Sequence, residues 1–514
     1  MIWMLLACGG SGRSWTDHVE VEVAVTGSPV IDPKLGGQTT FAVNVRVPQG
    51  QGCPLTVVAD NAVGQQRAWA LDGAGDLAWD GTTDDGTGFD PGPVRVAATA
   101  QCDEGASAAA SADLWVTRLG LTAVSWGDHP DDAPPITLAY HKLDVLTPGI
   151  TVVEPTTPEY LVVSGEEQAD LDLDDGSPRP TVAPWTNPDM PPWGAGDPLD
   201  ASHNVPAAYV AGARARLTVT AGATAVAAGA QIVDASDGGP ALRLAPEGMR
   251  PSEGAWTPGA TVTVDTGVLS ETLGRYEVPI TWRWQAQGTD GTWVDVPGSL
   301  TTTHEVFILA EQPVLLDGTA DGYAPPYPWV GVLADTAPAL QGLPPDTPGV
   351  LDALRDMLNG NDYLRYDPSN GSYSEYDGPY IYWDSISSDL SGWLDRSEGL
   401  ALYCHSVSCL LSTLAGSVGV DAPQQVIGVG FTTNLTRAAG SETWQRWSFN
   451  SHSVVSPDEG ATIWDASIDL DGDDDPYHEP IDEVAPKGLD GEEYLWRLTY
   501  DSVSIVNSGH CYIY

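Results

Sequence analysis

Val19, Val21, Val23 and Val25 alternate with polar or small residues, and Phe41, Val43, Val45 and Val47 do the same. A period of two puts one face of an extended strand in a core and the other in solvent, and no helix can satisfy it. With 56 Gly and 41 Pro in 514 residues, turn residues recur often enough to cut the chain into short strands joined by loops. The sequence therefore predicts a β-sandwich over residues 14–120.

A hydrophobic fraction of 42% is too high for a disordered chain, and the length predicts several cores. Residues 121–204 alternate short apolar runs with Pro- and Asp-rich stretches and read as a linker region. A second β-sandwich-like domain is expected over 205–313, where Ile280, Trp282 and Trp284 alternate and Asp290-Gly291 marks a hairpin turn. Residues 314–344 read as a further linker. From 345 to 514 the pattern changes to α+β. Thr347-Pro348 opens a helix that carries Val350, Leu351, Leu354 and Leu358 on one face and stops at Asn359-Gly360. A second helix starts near Cys404 with Val407, Leu410, Leu411, Leu414 and Val418 inward, and strands follow at 425–431, 447–455 and 461–466.

The charge excludes some partners. With 71 acidic against 21 basic side chains the net charge is -50, so the chain has no basic face to displace counterions from nucleic acid, and anionic membranes repel it. Residues 1–13 end an apolar run in Leu5-Leu6-Ala7-Cys8-Gly9, which resembles the lipobox of bacterial lipoproteins, followed by a Gly/Ser tether. That resemblance implies export, lipidation of Cys8, and membrane attachment through a lipid anchor only; the run is too short for a spanning helix. Export makes disulfides permissible, and Cys53 and Cys102, within one strand-rich stretch, are the candidate pair.

Two further resemblances rest on motifs. Trp79-Asp80-Gly81-Thr82-Thr83-Asp84-Asp85-Gly86, with Gly92 and the strand after it, resembles the hairpin of the flagellar-hook-cap type immunoglobulin-like domain. Cys404-His405-Ser406-Val407-Ser408-Cys409-Leu410-Leu411, running on to Gly419-Val420, resembles the nucleophile helix of transglutaminase-like proteins, relatives of the papain-like cysteine enzymes. Trp447-Ser448-Phe449-Asn450-Ser451-His452-Ser453-Val454 is similar to that family's histidine strand, and Ile463-Trp464-Asp465-Ala466 to its aspartate strand. The resemblance implies a Cys404, His452 and Asp465 triad on one helix and two adjacent strands. It departs from the commoner pattern where His405-Ser406 replaces an acidic residue.

The chemistry needs these residue types together. A thiol with an ordinary pKa of about 8.5 is mostly protonated at neutral pH, and a neighbouring imidazole and a helix N-terminus favour the thiolate. His452 would carry the proton and Asp465 would orient the imidazole. Cys409 suits an inert core thiol better, and His452 and Asp465 taken singly would be an ordinary strand histidine and a surface acid. For the oxyanion, the backbone N–H of Cys404 is one donor and Trp393 a weak second candidate. Asp469, Asp471 and Asp473 are weak calcium candidates, because alternating carboxylates suit a hard cation. They lack the EF-hand pattern, and a solvated loop is the simpler reading. No cofactor is required by the triad.

The expectation is a bacterial cell-envelope lipoprotein in which β-sandwich modules present a transglutaminase-like cysteine hydrolase or acyltransferase acting on a protein or peptide substrate. The alternative is a surface binding or scaffold lipoprotein that has kept this domain without its activity.

Overall fold

The computed structural model describes residues 19–47, 53–102, 106–141, 206–224, 240–250, 261–317, 330–360, 400–428 and 430–513, single positions excepted, together with a few short strands between them. The chain is mostly β, in several sheets, with four helices among the described residues.

Valine alternation does what its period demands. Glu20–Val25 pairs antiparallel with Thr39–Arg46, which pairs in turn with Gly75–Trp79. A second sheet places Gly92–Gln101 between Leu55–Asn61 and Ser107–Val116. Val23, Phe41 and Val43 from the first sheet meet Leu55, Val57, Val96 and Leu114 from the second in one core. Cys53 and Cys102, just outside the ends of two paired strands, are joined by a disulfide.

The next layers correct both expected linkers. Arg118–Asp128, most of it assigned by sequence to the linker at 121–204, is a strand paired with Arg214–Thr224, which also pairs with Thr261–Val268. Leu119 and Leu121 are buried, then Val124 and Trp126. The phase slips by one residue where the register shifts opposite Thr220 and Ala221, and that bulge hides the period of two. The expected linker at 314–344 contains helix α1 (Val330–Leu340), whose Val332, Leu333, Ala337 and Leu340 are buried despite Pro338 in its last turn. Gly274–Trp282 and Leu300–Leu309 pair over nine residues and help close the second β core around Trp126, Trp282 and Trp284.

Helix α2 (Thr347–Asn359) buries the expected Val350, Leu351, Leu354 and Leu358 and also Arg355. Its N-cap is Asp346 rather than Thr347, and the Asp346 side chain accepts from the Gly349 N–H at 2.8 Å. Helix α3 (Cys404–Ser417) is buried on every side except at His405. It stops at Gly419, whose φ of +88° and close approach to Glu311 exclude a side chain: a Cβ there would lie 2.3 Å from the Glu311 carbonyl oxygen. Under α3 lies a five-stranded antiparallel sheet in the order Lys487–Asp490, Thr462–Trp464, His452–Val455, Gln424–Ile427 and Ile505–Gly509. Helix α4 (Gly491–Leu498) turns Tyr494 and Leu498 into the core on the same side as Ile427, Val454 and Ile463. A second core joins α1, α2 and α3 to Phe307, Leu309 and Ala310 of the preceding β layer.

Candidate active site

Cys404 is the first residue of α3, His452 the first residue of its strand, and Asp465 follows directly on Thr462–Trp464. Since His452–Val455 and Thr462–Trp464 are neighbours in the sheet, the imidazole and the carboxylate meet at the end of two adjacent strands. His452 Nε2 donates to Asp465 Oδ2 at 2.7 Å, and both residues are buried. His452 Nδ1 is buried with no hydrogen-bond partner among the described residues, and the Cys404 thiol is the other neighbour that acts on the ring. The thiol itself faces the Ser451 carbonyl at 3.9 Å. The ring of Phe449 stacks on the imidazole with centroids 5.1 Å apart.

Electrostatics polarise this group. Burial pushes the His452 pKa down, but the Asp465 carboxylate and the Cys404 thiol outweigh it and raise it to about 10. Burial pushes Asp465 up, yet His452, the Tyr494 hydroxyl and the Ser467 N–H hold it below its ordinary value. The imidazole is therefore a buried cation paired with a buried carboxylate across the neutral range.

Four groups hold Asp465 in place. Tyr494 Oη donates to Oδ2 at 2.7 Å and the Ser467 N–H to Oδ1 at 2.7 Å. Arg355 Nε donates to the Asp465 backbone carbonyl at 3.0 Å, and His452 completes the set. Neither Tyr494 nor Arg355 was found from sequence. Tyr494 sits in an ordinary amphipathic helix and gave no signal. Arg355 did give one, since it is four residues from Leu351 and three from Leu358, on the apolar stripe of α2.

His405, next to Cys404, shares a 2.6 Å hydrogen bond between its Nδ1 and Ser453 Oγ, so consecutive residues of α3 face consecutive residues of the strand that carries His452. Burial and then the charge of His452 lower its pKa to about 4, which keeps it neutral beside the imidazolium.

Cys409 is disulfide-bonded, and Cys404 is the free cysteine among the described residues. This corrects the reading of Cys409 as an inert core thiol. Of the calcium candidates, Asp469 is already engaged by other groups. Asp469 is buried and taken up by two guanidinium groups: Arg355 pairs with one oxygen and Arg437 donates to the other at 2.9 Å. Asp471 lies in the same buried strand, Ile468–Asp471, which is not a solvated loop. Among the described residues no group of three or more His, Cys, Asp or Glu is arranged to hold a metal ion. Asp473 therefore belongs to no such group, and Cys8 and Trp393 lie outside the described residues.

No family model matches the chain, and no curated protein matches its sequence. Among solved structures it is similar to one of a 1.5-MDa bacterial ice-binding adhesin, at 13% identity over 56% of this chain and 98% of that one, with a TM-score of 0.16. It is also similar to SGBP-B of the Bacteroides ovatus mixed-linkage glucan utilization locus, in complex with a mixed-linkage heptasaccharide, at 11% identity over 86% and 91% with a TM-score of 0.14. A third likeness, to E. coli alpha-2-macroglobulin, has 9% identity over 97% of this chain and 23% of that one, with a TM-score of 0.15. TM-scores this low carry no argument about fold or site.

Proposed function

We propose that this chain is an exported, transglutaminase-like cysteine enzyme that transfers an acyl group from a carboxamide or peptide through a thioester on Cys404. The observation that supports it most is the buried His452 and Asp465 pair set beside a free thiol at the first turn of a helix.

In this reading the imidazolium of His452 stabilises the Cys404 thiolate, which attacks the carbonyl carbon. The Cys404 backbone N–H faces the developing oxyanion at the helix N-terminus. His452 then gives its proton to the leaving amine, the C–N bond breaks, and the thioester remains. Water or an amine, deprotonated by His452, attacks the thioester and frees the thiol. Hydrolysis fits better than self-crosslinking, because the chain offers only Lys34, Lys142 and Lys487 as side-chain amines. The Cys53–Cys102 and Cys409 disulfides fit an oxidising compartment, in keeping with an exported, lipid-anchored protein.

The test is iodoacetamide labelling of the full chain at pH 6, with the modified peptide located by mass spectrometry. Cys404 should be alkylated faster than an ordinary thiol at that pH, and His452→Ala should abolish the difference. Labelling no faster than that of the denatured chain would leave the binding or scaffold reading in its place.

A further inference from the structure

Asp465 Oδ2 accepts two hydrogen bonds of 2.7 Å, one from His452 Nε2 and one from the Tyr494 hydroxyl, while Oδ1 accepts the Ser467 N–H. Tyr494 is completely buried, on the second turn of a helix fixed at its start by Asp490, which accepts from the N–H groups of Glu492 and Glu493. A hydroxyl placed there does more than fill space. It competes with the imidazolium for the charge on a single oxygen.

We propose that Tyr494 is a positioning residue that acts through Asp465: by sharing Oδ2 with His452 Nε2 it limits how strongly the carboxylate stabilises the imidazolium, and so keeps His452 able to give the proton on Nδ1, the nitrogen on the thiol side, to the leaving group. This rests on the reading of the triad given above. An imidazolium held by an unshared carboxylate is a weaker acid, and a weaker acid protonates a departing amine more slowly. Burial and the neighbouring carboxylate drive the Tyr494 hydroxyl well above the ordinary tyrosine range, so it stays a donor wherever the pair exists.

The other groups that bear on this pair are few. Cys404 and His405 approach from α3, with His405 neutral. Arg355 of α2 meets the backbone carbonyl of Asp465 rather than its carboxylate, and its charge is matched by Asp469. Tyr366 lies near enough to act on Tyr494 electrostatically. Among the described residues, Tyr494 and the Ser467 N–H are the groups that share the carboxylate with His452.

The experiment is a titration of His452 by nuclear magnetic resonance in the full chain labelled with carbon-13 at the histidine Cε1, the signal being assigned by its loss in His452→Ala. Tyr494→Phe removes only the hydroxyl. It should raise the His452 midpoint by about half a unit to one unit, the size expected when a charged hydrogen bond is lost from one partner. Should Tyr494→Phe loosen the fold, 3-fluorotyrosine placed at 494 keeps the shape and donates more strongly, and it should lower the midpoint. Shifts of opposite sign would establish the coupling. A midpoint unmoved by either substitution in a folded chain would overturn it. The triad reading is judged separately by Cys404 alkylation, so an inert thiol with a shifting His452 would remove the enzyme and leave the coupling standing.

Discussion

Two imidazoles flank Cys404 in opposite charge states, and their difference has consequences in opposite pH ranges. His452 is raised from 6.5 to about 10, so between those values the folded chain holds a proton that the unfolded chain has lost. Its contribution to stability is complete below pH 6.5 and disappears as pH rises toward 10. His405 is lowered from 6.5 to about 4, so the unfolded chain takes up a proton that the folded chain refuses, and stability is lost as pH falls through that window. Hydrogen exchange of the α3 amides should be slowest near pH 6.5 after correction for intrinsic rates, and His405→Gln should flatten the acid side alone. At the same scale, Cys404→Ala and His452→Ala should each lower turnover by more than about 10³-fold, and Asp465→Ala somewhat less, with the losses far from additive. Cys409→Ser should leave Cys404 alkylation in place, because Cys409 is held in a disulfide. Full turnover in Cys404→Ser would remove the thiol from its assigned role.

At the scale of elements, α2 is the brace between the strands that carry His452 and Asp465 and the helices. Arg355, only 4% exposed, reaches from it to the Asp465 carbonyl and to Asp469. Arg355→Met should destabilise this part of the chain by about 3–5 kcal/mol, since it leaves a buried carboxylate short of a partner. Adding Asp469→Asn should recover much of that loss; hydrogen exchange of the α2 amides would measure both, and equal damage in the single and double variants would deny the ion pair its role. What was legible beforehand follows from how local each signal is. The buried face of α2, the start of α3 at Cys404 and the valine strands are written in spacing alone. The strand Arg118–Asp128 was lost because a bulge shifts its phase, and α1 because Pro338 and the prolines that precede the helix read as linker. Tyr494 and the His405 to Ser453 bond depend on which elements become neighbours, and no local pattern encodes that. Asp469 was misread because acidic residues in sequence look solvated until two arginines from distant elements are brought to them.

For the whole molecule, the net charge of -50 sets the terms on which anything reaches Cys404. A field of that sign repels anions and leaves neutral molecules unaffected, so two alkylating agents of nearly the same shape can report it. Iodoacetate carries a negative charge and iodoacetamide none. At 0.01 M salt the screening length is about 30 Å and most of the molecule contributes to the potential at the site; at 0.15 M it is about 8 Å and only near groups remain. Those near groups include the His452 imidazolium and its Asp465 partner, whose charges offset each other. Raising salt across this range should therefore speed iodoacetate labelling of Cys404 relative to iodoacetamide by at least about threefold, at the modest end of electrostatic effects on association. Because both rates are read on one thiol at one pH, any effect of salt on its ionisation cancels in the ratio. A ratio that stays constant would show that local contacts alone govern approach to the site. A rising ratio would assign the acidic surface a part in selecting against anionic substrates.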